Sequence, residues 1–288
     1  MNTTLPLFSV LIAQYNNAHY LQEAVNSVKT QTYTNWEIII VDDASTDDST
    51  DLYKLYGNDN RIKIFYNEKN KGCGYTKRLC AELARGEICG FLDPDDALVP
   101  DALEMMVNEH QKNKDIALVY SKYVVCDEDL NQKYISPSIG KILEGSEYLH
   151  STTSSISHFA TFKKNLYNKT EGINPLLKRA VDKDLYLKME EVGTLFFIDK
   201  PLYLYRIHRN GISLYDNVNK AFFWHMIAIY NTCQRRGLIE EAEGIADRML
   251  GEKFREIECP LKNQIYAPSL KDVFRCIYRY MKNRLFKS

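Results

Sequence analysis

The chain has 288 residues, 45% of them hydrophobic and 26% charged, and its 37 basic and 38 acidic side chains leave a net charge of −1. That balance excludes a global nucleic-acid footprint, and nowhere do the roughly 18 unbroken apolar residues of a membrane span occur. The opening stretch MNTTLPLFSVLIAQ lacks the basic region and the long apolar run of a signal peptide. With seven scattered cysteines and no CxxC spacing, the expectation is a cytoplasmic protein with reduced thiols.

The first predicted elements are two short β-branched runs, FSVLIAQ (Phe8 to Gln14) and WEIIIVDD (Trp36 to Asp43). Between them Leu21, Ala24, Val25 and Val28 recur at helical spacing. The alternation continues with a helix near Thr50 to Tyr56, a strand from Arg61, a helix from Tyr75 to Ala84 and the apolar run ICGFLD. Repeated strand–helix units of this kind predict an α/β fold with a parallel sheet and right-handed crossovers. Beyond Asp101 the pattern loosens: a helix to about Lys112, a strand from Ile116 turning at Glu128 to Asn131, and a strand-like ISHFATFKK. A helix from Asp182 to about Glu191 and a strand-like TLFFIDKPLYLYRIH follow. From about Tyr215 three helical segments are expected, Asn217 to Arg236, Glu240 to Glu258 and Ser269 to Phe286.

In such sheets ligands bind beyond the carboxyl ends of the strands, where strand order reverses. With the order 3-2-1-4, the loops QYNN, DDASTDDST and DPDD meet at that crevice. The cluster Asp93, Asp95 and Asp96 therefore has two readings. The acids could open the helix that Pro100 and Asp101 begin, where they would suit its dipole. Alternatively, Asp95, aided by Asp93, holds magnesium or manganese, which is usually bound by one or two carboxylates with substrate phosphates completing the shell. Related chemistries lack their signatures. No GxGxxG follows the first strand, no DxD follows it either, and neither a Walker loop nor another glycine-rich phosphate loop is present. Transfer from a nucleotide-activated donor remains.

The stretches FSVLIAQYNNAHYLQEAVNSVKTQTYTNWEIIIVDDASTDDST, NKGCGYTKRLCAELARGEICGFLDPDD and VDKDLYLKMEEVGTLFFIDKPLYLYRIHRNGIS resemble the successive motifs of the family 2 inverting glycosyltransferases. The resemblance runs from about residue 7 to 213 and implies a GT-A fold. It implies a domain over residues 1–215, with a nucleotide-binding half (1–100) and an acceptor half (101–215), followed by a helical region over 216–288. By the same resemblance Tyr15 and Asp43 contact the nucleotide base, and Lys77 lies near the base or phosphates. Asp93 lies near the ribose or sugar, Asp96 assists, Asp95 ligates a divalent cation, and His208 reaches the metal or diphosphate. Asp182 is the catalytic base. Ala44 stands where the family usually has glycine, and Val181 where glutamate often precedes the base. His158 reads as a structural histidine, and Leu202 to Arg206 as plain alternation in a half-buried strand.

The implied function is metal-dependent, inverting transfer of a sugar from a nucleoside diphosphate, UDP in the first instance, to a hydroxyl of a glycan or lipid-linked glycan. The alternative is a sugar-nucleotide binder of the same fold without turnover. In the last segment Val273, Phe274, Ile277, Tyr278, Met281 and Leu285 recur at helical spacing among six basic residues opposed by Asp272. That pattern reads either as a helix docked on its own domain or as a peripheral contact with an anionic membrane.

Overall fold

The computed structural model describes residues 5–151, 156–208 and 218–242, together with 244, 245 and 248. The expected helix Ser269 to Phe286 and most of Glu240 to Glu258 lie outside the described residues.

The first hundred residues form β1 (Phe8–Gln14), α1 (Ala18–Lys29), β2 (Trp36–Asp42), α2 (Ser49–Tyr56), β3 (Ile62–Tyr66), α3 (Cys73–Leu83), β4 (Ile88–Phe91) and β5 (Ala97–Leu98). Then come α4 (Ala102–Lys112), β6 (Ile116–Cys126), β7 (Gln132–Ile135), β8 (Ala160–Lys163), α5 (Lys164–Tyr167), α6 (Val181–Glu190), β9 (Thr194–Arg206) and α7 (Val218–Arg236). The strands make one sheet in the order β3-β2-β1-β4-β8-β6-β9-β5, with β7 paired to β6. Strands β3, β2, β1 and β4 are parallel, which bears out the 3-2-1-4 order read from the alternation. The two anticipated halves thus share one sheet, joined where β8 pairs antiparallel with both β4 and β6. The strand-like ISHFATFKK is shorter than expected: the strand begins only at Ala160, and the chain turns into α5 at Lys164.

Both faces of the parallel part are covered, as its unbroken apolar runs require. Val10, Ile12, Ile38 and Ile40 pack with Leu21 and Val25 of α1 and Tyr53 of α2. The alternate residues Leu11, Ile39 and Val41 belong to the core formed with Cys80 and Ala81 of α3, Leu185 and Met189 of α6 and Ile227 of α7. This period of two commits the middle of each strand to the core, so function falls to the strand ends and the loops beyond them.

Two packing details fix those loops. Gly74, at the start of α3, donates its N–H to the Leu177 carbonyl at 2.9 Å, and a Cβ there would lie 2.5 Å from that oxygen and 2.6 Å from the Asn174 carbonyl. The helix bearing Lys77 therefore sits directly against the loop leading into α6. On the other face, His110 of α4 is buried, with Nε2 3.0 Å from the Thr161 hydroxyl of β8.

Burial, with some help from Lys163, pushes the His110 imidazole down to about 3 from its ordinary 6.5. Below pH 6.5 the unfolded chain holds a proton there that the folded chain lacks. Stability is then complete above that pH and falls as the pH drops toward 3, by up to about 1.4 kcal/mol per pH unit. Urea unfolding between pH 7 and 5 should accordingly show a smaller acid loss for His110→Gln than for the wild type, and equal slopes would assign the loss elsewhere.

Candidate active site

The loops after β1, β2 and β4 converge as the strand order requires, and with the start of α6 and the end of β9 they enclose a cavity of about 330 Å³. Tyr15, Asp43, Lys77, Asp93, Asp95, Asp96, Asp182 and His208, all singled out in the sequence, line it.

The loops after β1 and β2 are laced to one another. Asn16 and Ala44 both adopt left-handed conformations, with φ of 51° and 62°. The backbone at Ala44 is thus one that glycine adopts most easily. The Asn16 side-chain oxygen accepts from Thr46 N–H at 2.7 Å, Ser45 Oγ accepts from Asn16 N–H at 3.0 Å, and Asp47 accepts from Ala18 N–H at 2.9 Å. Asp42 accepts from Ser45 N–H at 2.7 Å and from the Tyr53 hydroxyl. Asp42 and Asp47 therefore hold loops in place, and of these acids Asp43 is the one lining the cavity. Asp43 itself accepts from Asn67 Nδ2, Lys71 N–H and Gly72 N–H, each at 2.8 Å. Of roughly four acceptor directions on a carboxylate, that leaves about one for a ligand. Tyr15 stands 45% exposed at the cavity mouth.

The acidic turn after β4 answers to neither sequence reading in its simple form. Helix α4 begins at Ala102, after Asp95 and Asp96, and its N-cap residue Asp101 makes no side-chain cap bond. Nor are the three acids left without counter-groups. Asp93 receives Lys77 Nζ at 3.1 Å and faces His158 Nε2 at 3.6 Å. Asp95 Oδ2 meets His208 Nε2 at 2.8 Å. Asp96 is buried, accepting from Arg206 N–H at 2.7 Å and from the Tyr203 hydroxyl at 2.8 Å. Both Asp96 oxygens thus accept one bond each from β9, which makes Asp96 a brace for that strand.

The charge states follow from these partners. Burial alone would raise the Asp93 carboxyl, but Lys77 and His158 outweigh it and hold it below the ordinary range. Burial opposes the Lys77 charge, yet Asp182 and Asp93 hold its ammonium well above the ordinary lysine value. Asp96 is pushed well up, first by burial and then by Asp95 and Asp93. The Cys73 thiol, buried in the same wall, is pushed up to about 12 and is no nucleophile.

Lys77 lies buried in the cavity wall between Asp93 and Asp182, 2.9 Å from Asp182 Oδ1. Asp182 stands in the first turn of α6, facing the acidic turn across the cavity. Its neighbour Asp184 is fully buried, accepting from Asn174 N–H and Lys188 Nζ, both at 2.9 Å.

Two residues were missed. Arg206 is buried at the end of β9, where Nε donates to the Asp95 carbonyl at 2.6 Å, Nη2 to Glu23 at 2.5 Å and Nη1 to the Glu128 carbonyl. It falls in phase with Leu202 and Leu204, and a cation at that phase of a half-buried strand was the available signal. His158 stacks on Tyr203 and Tyr205 with centroids 5.0 and 5.8 Å away, and nothing local in ISHFATF announces it.

A divalent cation fits one place here. Adjacent ligands of an octahedral magnesium lie about 3 Å apart, close to the 2.8 Å between Asp95 Oδ2 and His208 Nε2. Among the described residues no group of three or more His, Cys, Asp or Glu is poised to hold a metal by itself, so substrate oxygens and water would complete the shell.

The sequence over residues 9–170 matches the model of Glycosyl transferase family 2. The chain belongs to that family. It is 37% identical over 211 residues to a chondroitin synthase of Escherichia coli, covering 73% of this chain and 30% of that protein. This glycosyltransferase thus spans about a third of the length of that relative. It is also 33% identical over 132 residues to the E. coli UDP-Glc:alpha-D-GlcNAc-diphosphoundecaprenol beta-1,3-glucosyltransferase WfgD, covering 46% of this chain and 51% of that one. Among solved structures, S. aureus TarS in complex with UDP-GlcNAc has a TM-score of 0.69 at 22% identity, over 90% of this chain and 76% of that chain. The mannosyltransferase PcManGT of Pyrobaculum calidifontis, with GDP-Man and Mn2+, has a TM-score of 0.63 at 14% identity, over 99% and 82%. These likenesses establish the GT-A fold of the transferase.

Breaking a buried, bridging cation typically costs about 3 kcal/mol or more. Arg206→Met should therefore lower the unfolding free energy of the glycosyltransferase by about that much, as read by urea denaturation. A change below about 0.5 kcal/mol would make the Arg206 contacts surface-like.

Proposed function

We infer that this chain is an inverting glycosyltransferase that moves a sugar from a UDP-sugar to a hydroxyl of a glycan or lipid-linked glycan, with Asp182 as general base. The observation that carries the reading is one cavity that sets Asp182 of α6 opposite the acidic turn Asp93–Asp96. UDP is favoured by the TarS complexes with UDP and UDP-GlcNAc and by the donor in the WfgD name. The relatives that are chondroitin and hyaluronan synthases, and the diphosphoundecaprenol acceptor in the WfgD name, favour a glycan acceptor.

The base and ribose lie toward Tyr15 and Asp43, with the remaining acceptor direction of Asp43 meeting a ring N–H. Asp95 and His208 are the residues that would hold a divalent cation, which would supply positive charge against the diphosphate. In the transfer step the acceptor oxygen bonds to the anomeric carbon as the bond from that carbon to the diphosphate oxygen breaks. The acceptor proton passes to Asp182. A single displacement inverts the anomeric centre and needs no covalent nucleophile on the protein. The buried cations behind the turn keep its acids in place without occupying the cavity.

Positioned general bases contribute about 10²- to 10⁴-fold. Asp182→Asn should lower kcat by that factor with little change in donor KM, measured as UDP release from a panel of UDP- and GDP-sugars with manganese. UDP binding without turnover on any donor would favour the non-catalytic binder. Calorimetry tests the metal: Asp95→Asn should lose manganese-dependent UDP binding, and wild-type affinity in that variant would remove Asp95 as a ligand.

The basic amphipathic pattern from Ser269 to Ser288 supports peripheral attachment at an anionic membrane face, where a lipid-linked acceptor would lie. No helix among the described residues is long and apolar enough to cross a membrane. Deleting residues 269–288 should release the protein from anionic vesicles at low salt while transfer to a soluble acceptor persists. Equal vesicle binding with and without the segment would end the idea.

A further inference from the structure

The ammonium of Lys77 is the point at which the two sides of the cavity touch. It is carried by α3, within the first hundred residues, and its two partners come from elements on opposite walls. Asp93 belongs to the turn after β4, at 3.1 Å, and Asp182 to the first turn of α6, at 2.9 Å. Lys77 is buried, with the Phe91 ring centroid 5.1 Å from Nζ. An ammonium has three N–H donors, and two of them are directed to these carboxylates. On Asp182 the bond uses Oδ1, so Oδ2 has no protein partner among the described residues. The neighbouring lysine of α6, Lys183, turns away to the Tyr148 ring, 4.7 Å from its centroid. The close seat of Gly74 on the Leu177 carbonyl, one turn before Lys77, fixes the distance over which the ammonium must reach.

We propose that Lys77 is a positioning residue for the transfer step: its ammonium clamps Asp182 through Oδ1 to Asp93 and so presents Oδ2 of Asp182 to the acceptor hydroxyl. This rests on Asp182 being the base. Asp93, on the donor side, and Asp182, on the acceptor side, repel one another, and without a cation between them neither would keep a fixed place. With it, the geometry of attack is set before either substrate arrives. A shift of about 1 Å in a positioned group can lower a rate about 10²-fold, which is the scale of effect to look for. Because both donors point at protein carboxylates, the role predicted for Lys77 is in kcat and only weakly in donor affinity. This separates it from a direct contact with base or phosphate.

A double-mutant cycle on the full chain tests the assignment, with kcat from UDP release and donor affinity from calorimetry with UDP and manganese. Lys77→Met should lower kcat about 100-fold while the UDP Kd stays within about threefold. Lys77→Arg, which keeps the charge, should recover at least about a tenth of wild-type kcat. In the Asp182→Asn background, Lys77→Met should lower kcat by no more than about twofold further, because the residue it positions is already gone. An equal loss from Lys77→Met in both backgrounds would overturn the proposal, as would a loss confined to UDP affinity. If Asp182→Asn alone keeps near-wild-type kcat, it is the base assignment that fails, a different result from failed coupling. Thermal melts accompany each variant. Should Lys77→Met not fold, Lys77→Arg carries the cycle: a fall in kcat without a fall in UDP affinity, absent from the Asp182→Asn background, supports positioning, and an additive fall refutes it.

Discussion

Negative charge gathered at the end of a buried strand has to be balanced from nearby, and the cations that do so come from elements far apart in the chain. Lys77 of α3 reaches Asp93, and Arg206 and His208 reach the same turn from the end of β9. Each bond between a cation and the turn is therefore also a bond between elements. The turn works as a hub that fixes α3, α6 and β9 about one cavity. Buried ion pairs contribute little net stability compared with apolar packing, and their better-supported role is to specify one arrangement. That suits a site whose parts must stand in fixed relation, as the acidic turn, the first turn of α6 and the loops after β1 and β2 do around this cavity.

The balance leaves Asp96, Asp93, Asp95 and Asp182 unequal. Asp96 accepts from Arg206 N–H and Tyr203 and braces β9. Asp93 has Lys77 and His158 on either side. Asp95 has a lone imidazole beside it, and Asp182 has one oxygen held and one open. Electrostatic environment, more than residue type, sets four aspartates apart as a brace, a clamp point, the proposed metal ligand and the proposed base.

Much of this was legible in the sequence because it rests on local rules. Period and punctuation give the strands and helices of the first hundred residues, and the order 3-2-1-4 follows from them. The rule about strand ends then brings Tyr15, Asp43, Asp93 and Asp95 to one rim, where the structure has them. The partners were not legible. Lys77 and Asp182 are 105 residues apart in the chain, and Asp96 and Arg206 are 110 apart. No spacing rule connects such pairs; only the path of the sheet does. For the same reason the sequence does not show that Asp42 turns to its own loop at Ser45 and Asp47 to Ala18 at the start of α1. Arg206 looked like the end of an alternating strand until its neighbours across the sheet were in place.

Strand β9 has one further property that bears on how such a chain can vary. Its pairing with β6 shifts register in quick succession: Ser121 stands opposite Ile198, Lys122 opposite Pro201 and Tyr123 opposite Tyr203. Beyond the shifts the pairing runs unbroken from Tyr203 to Arg206, so the shifts decide which face of the sheet each of these residues takes. A residue gained or lost between Ile198 and Pro201 would exchange those faces and displace both partners of Asp96 at once. The turn at Asp127 to Asn131, between β6 and β7, has no such leverage. The jog in β9 thus acts as a counting device for the site: it sets the tally of residues by which the end of the strand meets the acidic turn.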